Sequence, residues 1–190
     1  MPYVIHSPSS DSRSVAKDFD PDITMDYMRQ LVGTFPMTAE GQAAIPKRLR
    51  VGSPRRGGVP HILGWSTGSW IVSPRVHDII EELEPGVQHF RPIELATKDA
   101  RKSRGTYFLI LPPPTLDAII RDLTEFDSSL QLKPRGRCML DADAIRGRHF
   151  WRAPKPLELN YFCSDELGGR LKAEKLDGWD LRHQCGVQQR

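Results

Sequence analysis

The sequence predicts an α+β fold: one mixed or largely antiparallel sheet with short capping helices. Three observations predict it. An apolar helical stripe follows a serine at Ser73, a second follows a serine at Ser164, and short β-type runs lead into and out of both.

From the N terminus, Tyr3-Val4-Ile5 reads as a short strand, and His6 to Asp20, rich in Ser and Asp, as a loop. Ile23, Tyr27, Met28 and Leu31 fall on one face of a short helix over Ile23 to Val32. Gly33 to Pro60 is punctuated by Pro, Gly and Arg. Its brief apolar alternation around Leu49 and Val51 marks a strand candidate.

The strongest local pattern begins at Trp70-Ile71-Val72, a β-type run. Ser73 stands where an N-cap belongs, and Pro74 takes the first helical position, where its missing N–H costs nothing. Val76, Ile79, Ile80 and Leu83 follow at i, i+3, i+4 and i+7, one apolar stripe. Pro85-Gly86 ends the helix, and Val87 to Leu95 returns as a strand. Thr106 to Leu111 is strand-like and is stopped by Pro112-Pro113-Pro114. Ile119 and Ile120 suit a helical turn; Leu130 to Lys133, Cys138 to Leu140, Phe150 to Trp151 and Leu157 to Phe162 suit short strands.

The earlier arrangement then recurs. Ser164 is a second N-cap, with Asp165 and Glu166 in the first turn, where carboxylates suit the helix dipole. Leu167 and Leu171 stand after Ser164 as Val76 and Ile80 stand after Ser73; Gly178 closes the unit as Gly86 does, and Trp179 restarts a strand. Capping rules generate such a pattern wherever a strand feeds a helix. The recurrence therefore supports the α+β reading more than it proves a duplication.

Bulk properties bound the rest. A chain of 190 residues fits one domain spanning 1–190, with a loop-rich part over 1–60, and buries roughly 70% of its unfolded surface, so no metal or disulfide staple is needed. Cys138, Cys163 and Cys185 are odd in number and widely spaced, which reads as reduced thiols rather than a thiolate zinc site. The start lacks a charged leader, and no segment approaches the roughly 20 apolar residues of a membrane span, so a cytoplasmic protein with no membrane partner is expected. Net charge is only +3, but it is unevenly spread. Asp11 to Asp26 is acidic, whereas Pro46 to Arg56 and Lys133 to Lys155 are basic. Such polarity steers charged partners or is simply solvated. Lys47, Arg48, Arg55 and Arg56, on a loop-like stretch with no other evident role, are the candidates for partner binding.

Motifs for chemistry are thin. Gly64-Trp65-Ser66-Thr67-Gly68 satisfies G-x-S-x-G, which in hydrolases works through a strained strand-to-helix turn. Here an extended run follows, and the helix starts only after Ser73. Asp117 with His149 or His183 could complete a triad in order, but their surroundings do not single them out. A small serine hydrolase at Ser66 is thus the weakest alternative. The six histidines include no ligand pair with an acid, so no metal and no cofactor are expected. Arg56-Gly57-Gly58-Val59 lacks the ending of a phosphate-binding loop. The basic stretches hold few stacking aromatics apart from Phe150-Trp151, which weighs against nucleic acid. A nucleic-acid-binding or adaptor domain remains the alternative to a protein binder.

The run Trp70-Ile71-Val72-Ser73, the helix to Leu83, and then Glu84-Pro85-Gly86-Val87-Gln88-His89-Phe90-Arg91-Pro92-Ile93 resembles the central segment of a bacterial immunity family of the polymorphic toxin systems, "immunity protein eleven". Tyr161-Phe162-Cys163-Ser164-Asp165-Glu166-Leu167, Leu171 and Leu176-Asp177-Gly178-Trp179 are similar to its C-terminal segment. The resemblance spans about residues 70–182, a family-like α+β core. It implies a cytosolic protein that is not an enzyme and that binds and neutralises a cognate bacterial toxin encoded beside it. It brings no catalytic residues to carry over.

Overall fold

The computed structural model describes residues 1–6, 15–18, 45, 47–51, 59–65, 70–96, 103–111, 113–128, 132–133, 136–154, 157 and 161–189. In chain order the elements are β1 (Tyr3–His6), β2 (Val15–Asp18), β3 (Arg48–Val51), β4 (Ile62–Trp65), β5 (Trp70–Val72), α1 (Pro74–Leu83), β6 (Phe90–Ala96) and β7 (Ser103–Ile110). A 3-10 turn (Arg121–Leu123) follows, then β8 (Met139–Asp141), β9 (Phe150–Arg152), β10 (Tyr161–Cys163), α2 (Asp165–Ala173), β11 (Asp180–Gln184) and β12 (Gly186–Gln188). Among the described residues strands dominate, the pairing is mixed, and two helices cap them: the α+β class the sequence predicts.

The strands curl into a closed barrel ordered β2-β3-β6-β7-β5-β4, beside a four-stranded sheet ordered β11-β1-β10-β9 and a parallel β12-β8 pair. The barrel run β4-β5-β7-β6 recurs in the second sheet as β9-β10-β1-β11, with every neighbouring pair antiparallel in both. The registers correspond: Ile62 opposes Val72 as Phe150 opposes Cys163, and Trp70 opposes Ile110 as Tyr161 opposes Ile5. The recurrence legible around Ser73 and Ser164 thus extends to whole sheets, with β1 from the start of the chain taking the place that β7 takes in the other unit.

Alternation along the strands explains why so many positions are apolar. Trp70 and Val72 face the helices, while Ile71 between them faces the barrel interior with Leu49, Leu63, Ile93, Leu95 and Leu109. Cys163 likewise faces the helices, while Phe162 faces a third cluster with Val4, Leu140 and Trp151. Strands covered on both faces cannot show the polar–apolar alternation of a half-buried sheet. The central cluster joins the two units. Val76, Ile79 and Ile80 of α1 meet Leu167 and Leu171 of α2 over Ile5, Ile62, Ile110 and Phe150. Trp70 packs on Tyr161, its counterpart in the other unit, at a ring-centroid distance of 4.9 Å. Each fully buried aliphatic side chain there contributes about 1.5–3 kcal/mol before entropy is counted.

Polar groups tie the units reciprocally. Glu84, buried at the end of α1, accepts the Phe150 N–H that opens β9 (3.0 Å) and the Gln88 amide (3.1 Å). Asp177, after α2, accepts the His61 N–H just before β4 (2.9 Å). The helices run antiparallel: Arg75 in the first turn of α1 grips Glu174 at the end of α2 through two hydrogen bonds of 2.5 Å, and Arg170 reaches Glu82. The Arg75 hydrogen bond holds the Glu174 carboxyl below the usual carboxylate range. A lowered folded-state pKa contributes stability above the unfolded value of about 4.3 and loses it as pH falls through the lowered value. Arg75→Met is therefore expected to flatten the acid limb of a melting-temperature profile below about pH 4.3, modestly and less so in high salt. An unchanged limb would show that the pair does not act in solution.

Several expectations need correcting. Val15–Asp18 is a strand within the segment read as loop. Only Val15 and Ala16 are apolar there, and it is the pairing to β3 and β4 on its two sides that makes it a strand. The strand expected from Val87 begins at Phe90, after a turn through Gly86 at φ +68°. Ile119 lies in an isolated bridge to Leu140, and the helical turn comes after it at Arg121–Leu123. Ser73 has the backbone of an N-cap but no side-chain cap; its Oγ lies 3.0 Å from His61 Nδ1 instead. Ser164 does both, accepting the Leu167 N–H (3.0 Å) while lying 2.9 Å from His149 Nδ1. On the outer side of α1, His77 stacks on Phe108 with ring centroids 4.1 Å apart. The helix expected over Ile23 to Val32 lies outside the described residues.

Candidate partner-binding face

Among the basic candidates, Lys47 is exposed and leads into β3, where its carbonyl accepts the Glu94 N–H at 2.9 Å. Arg48, the first residue of β3, is clamped across the strand pair by Glu94 of β6, with Nε–Oε2 at 3.0 Å and Nη2–Oε1 at 2.7 Å. That hydrogen bond raises the Arg48 pKa from its ordinary value, and half of the side chain still faces solvent. The structure thus brings Lys47 and Arg48 side by side and gives Arg48 an acidic neighbour on the same barrel wall. Arg55 and Arg56 lie outside the described residues.

The structure adds a second surface feature that the sequence reading missed. A cavity of about 260 Å³ opens where the turn before β9 meets the start of α2, lined by Pro2, Ile145, Arg148, His149, Ser164 and Glu166 among others. Met1 and Val187, exposed large apolar side chains, stand at it. Asp165 sits there too, 3.2 Å from the Met1 amino group, whose hydrogen bond holds the carboxyl below its ordinary range. An apolar rim around a recess with charged edges can receive a side chain from another protein. Nothing local in the sequence marks it: β12, which carries Val187, is three residues long and is placed by its parallel pairing to β8.

The settings of the chemical motifs are informative. Gly64 ends up opposite Trp70 in the antiparallel β4–β5 pair, so the G-x-S-x-G segment connects two paired strands rather than a strand to a helix. Ser66 itself lies outside the described residues. Of the possible triad histidines, His149 is 2.9 Å from Ser164 Oγ, in a helix cap. Phe150 and Trp151 are each 1% exposed and cannot stack on bases. Among the described residues no group of three or more His, Cys, Asp or Glu is placed to hold a metal ion. No described helix is long and apolar enough to cross a membrane.

The molecule is thus a strand-rich α+β protein whose two units lock on a shared core, with an open recess and flanking charges at its surface. The chain matches the Immunity protein family (Imm11) over residues 12–185 and belongs to that family. The match reaches well into the N-terminal third, beyond the segment 70–182 that carries the resemblance in the sequence. No curated protein matches the chain.

Proposed function

We propose that this protein binds and neutralises a cognate bacterial toxin domain, and that it acts by occupying the toxin rather than by catalysis. The observation that carries the reading is the family match over residues 12–185. The hairpin setting of the G-x-S-x-G segment and the burial of Phe150 and Trp151 weigh against the hydrolase and nucleic-acid alternatives. We assign toxin contact to the rim at Met1 and Val187, and electrostatic steering to Lys47, Arg48, Arg55 and Arg56. The site of action is the cytoplasm, where the chain would meet a toxin delivered into the cell or made there.

Protection requires almost no free toxin, so Kd is expected at nanomolar or below, about −12 kcal/mol or stronger, over an interface near 1,600 Å² or more. The test is co-expression with the toxin encoded beside it. Survival and a complex on size exclusion are expected, and equal killing with no complex would overturn the assignment. A steering variant should reverse Lys47, Arg55 and Arg56 but use Arg48→Gln, because Arg48→Glu would set two carboxylates together at Glu94. Slower association that converges on wild type in high salt is expected. Turnover of activated esters abolished by Ser66→Ala would overturn the binding reading.

A further inference from the structure

Three thiols are buried, but they are not equivalent. Cys163 faces the helix cluster, and burial pushes its thiol up to about 12. Cys138 and Cys185 face the opposite side together, in the cluster with Val4, Leu140, Trp151 and Phe162. Their placement follows from strand register. In the parallel β12–β8 pair Gly186 opposes Met139, Val187 opposes Leu140 and Gln188 opposes Asp141. One step back along both strands sets Cys185 opposite Cys138, and the Gly186 N–H donates to the Cys138 carbonyl at 2.9 Å. Directly opposed residues on neighbouring strands stand about 4.8 Å apart, inside the Cα separation of roughly 4.4–6.8 Å that a disulfide spans, and their side chains leave the sheet on the same face. The neighbouring Cys138 side chain, ahead of burial, pushes the Cys185 thiol above its ordinary value.

We infer that Cys138 and Cys185 form a redox-modification site, a cross-strand dithiol that closes to a disulfide in exchange with a small-molecule disulfide such as oxidised glutathione. Access comes through β12. The strand is three residues long, its Val187 and Gln188 are exposed, and among the described residues its strand partner is β8 alone. When β12 lifts, Cys185 loses its proton to solvent and attacks one glutathione sulfur. The glutathione S–S bond breaks, one glutathione leaves and takes up a proton, and a mixed disulfide remains on Cys185. Before β12 closes again, Cys138 gives up its proton and attacks Cys185 Sγ, and the second glutathione leaves as a thiolate that takes up that proton. Two electrons pass from the protein to the glutathione disulfide, and β12 becomes covalently tied to β8. Opening of the strand gates the first step, because a buried thiol is protonated and unreactive.

The full-length protein, incubated with oxidised glutathione and quenched in acid, supplies the test. Loss of two of its three free thiols is expected, with a peptide map joining Cys138 to Cys185 and full recovery on dithiothreitol. Cys163→Ala should still form the bond, whereas Cys138→Ala should stop at a glutathione adduct on Cys185. Backbone amide exchange at Gly186 to Gln188 should slow on oxidation. Retention of all three thiols under conditions that oxidise dithiothreitol overturns the proposal, as does a disulfide that involves Cys163. Mapping the wild-type protein decides this even if a variant fails to fold.

Discussion

Aspartate at Ile80 or at Leu171 is expected to abolish the cooperative folded state. Both side chains are at most 1% exposed and belong to the one cluster that the two helices share with both sheets. Two costs combine. Truncating the aliphatic chain leaves a cavity, worth about 2–5 kcal/mol by analogy with changes to alanine. A carboxylate placed among Ile, Val, Leu and Phe gives up its hydration, and its desolvation adds several kcal/mol more or forces it to take up a proton. Against a total stability of roughly 5–15 kcal/mol, the sum removes most or all of it. Far-UV circular dichroism and urea titration read the outcome. Ile80→Val, which only shortens the chain, should cost about 0.5–1.5 kcal/mol and serves as the control. An Ile80→Asp protein with a urea transition like that of wild type would show that α1 does not dock as described.

What was legible from the sequence is what local rules specify. Helices α1 and α2 were visible because Ser73-Pro74 and Ser164-Asp165-Glu166 are capping signals and because Val76, Ile79, Ile80, Leu167 and Leu171 keep helical spacing; all five are buried. The buried strands β5, β7, β9 and β10 were visible through β-branched and aromatic content. Pairing was not visible, because register depends on residues far apart in the chain. Val15–Asp18 therefore passed as loop, and the opposition of Cys138 to Cys185 could not be read from their separation. Glu84 looked like one more acid at a helix end, yet it is 3% exposed and holds the start of β9 in the other unit. The candidate surface was the least legible part. Exposure of Met1 and Val187 is a property of what packs around them, and a solvated arginine and one clamped by Glu94 read identically in a sequence.

The two glycines that close the helical units are expected to differ sharply in their tolerance of alanine. Gly86 and Gly178 occupy equivalent places, and both have positive φ, +68° and +97°. That backbone costs an L-residue roughly 1–2 kcal/mol, partly offset by about 0.4–1 kcal/mol from the less flexible unfolded chain. Their surroundings separate them. A Cβ on Gly86 meets nothing within 4 Å, so Gly86→Ala should cost about 1 kcal/mol. A Cβ on Gly178 would fall 2.1 Å from the Ile62 carbonyl oxygen and 2.9 Å from its carbon. Those are backbone atoms of β4, fixed by its pairing to β5, so neither can yield without moving the strand. The neighbouring Asp177–His61 hydrogen bond, which depends on the same close approach, would be lost as well. Gly178→Ala is therefore expected to cost at least about 3 kcal/mol, in the range of severe core defects. Urea titration of the two variants side by side gives the difference directly, and the shared φ penalty largely cancels in it. Equal costs would mean that residue 178 does not lie against Ile62, and that the exit of α2 is not docked on the barrel.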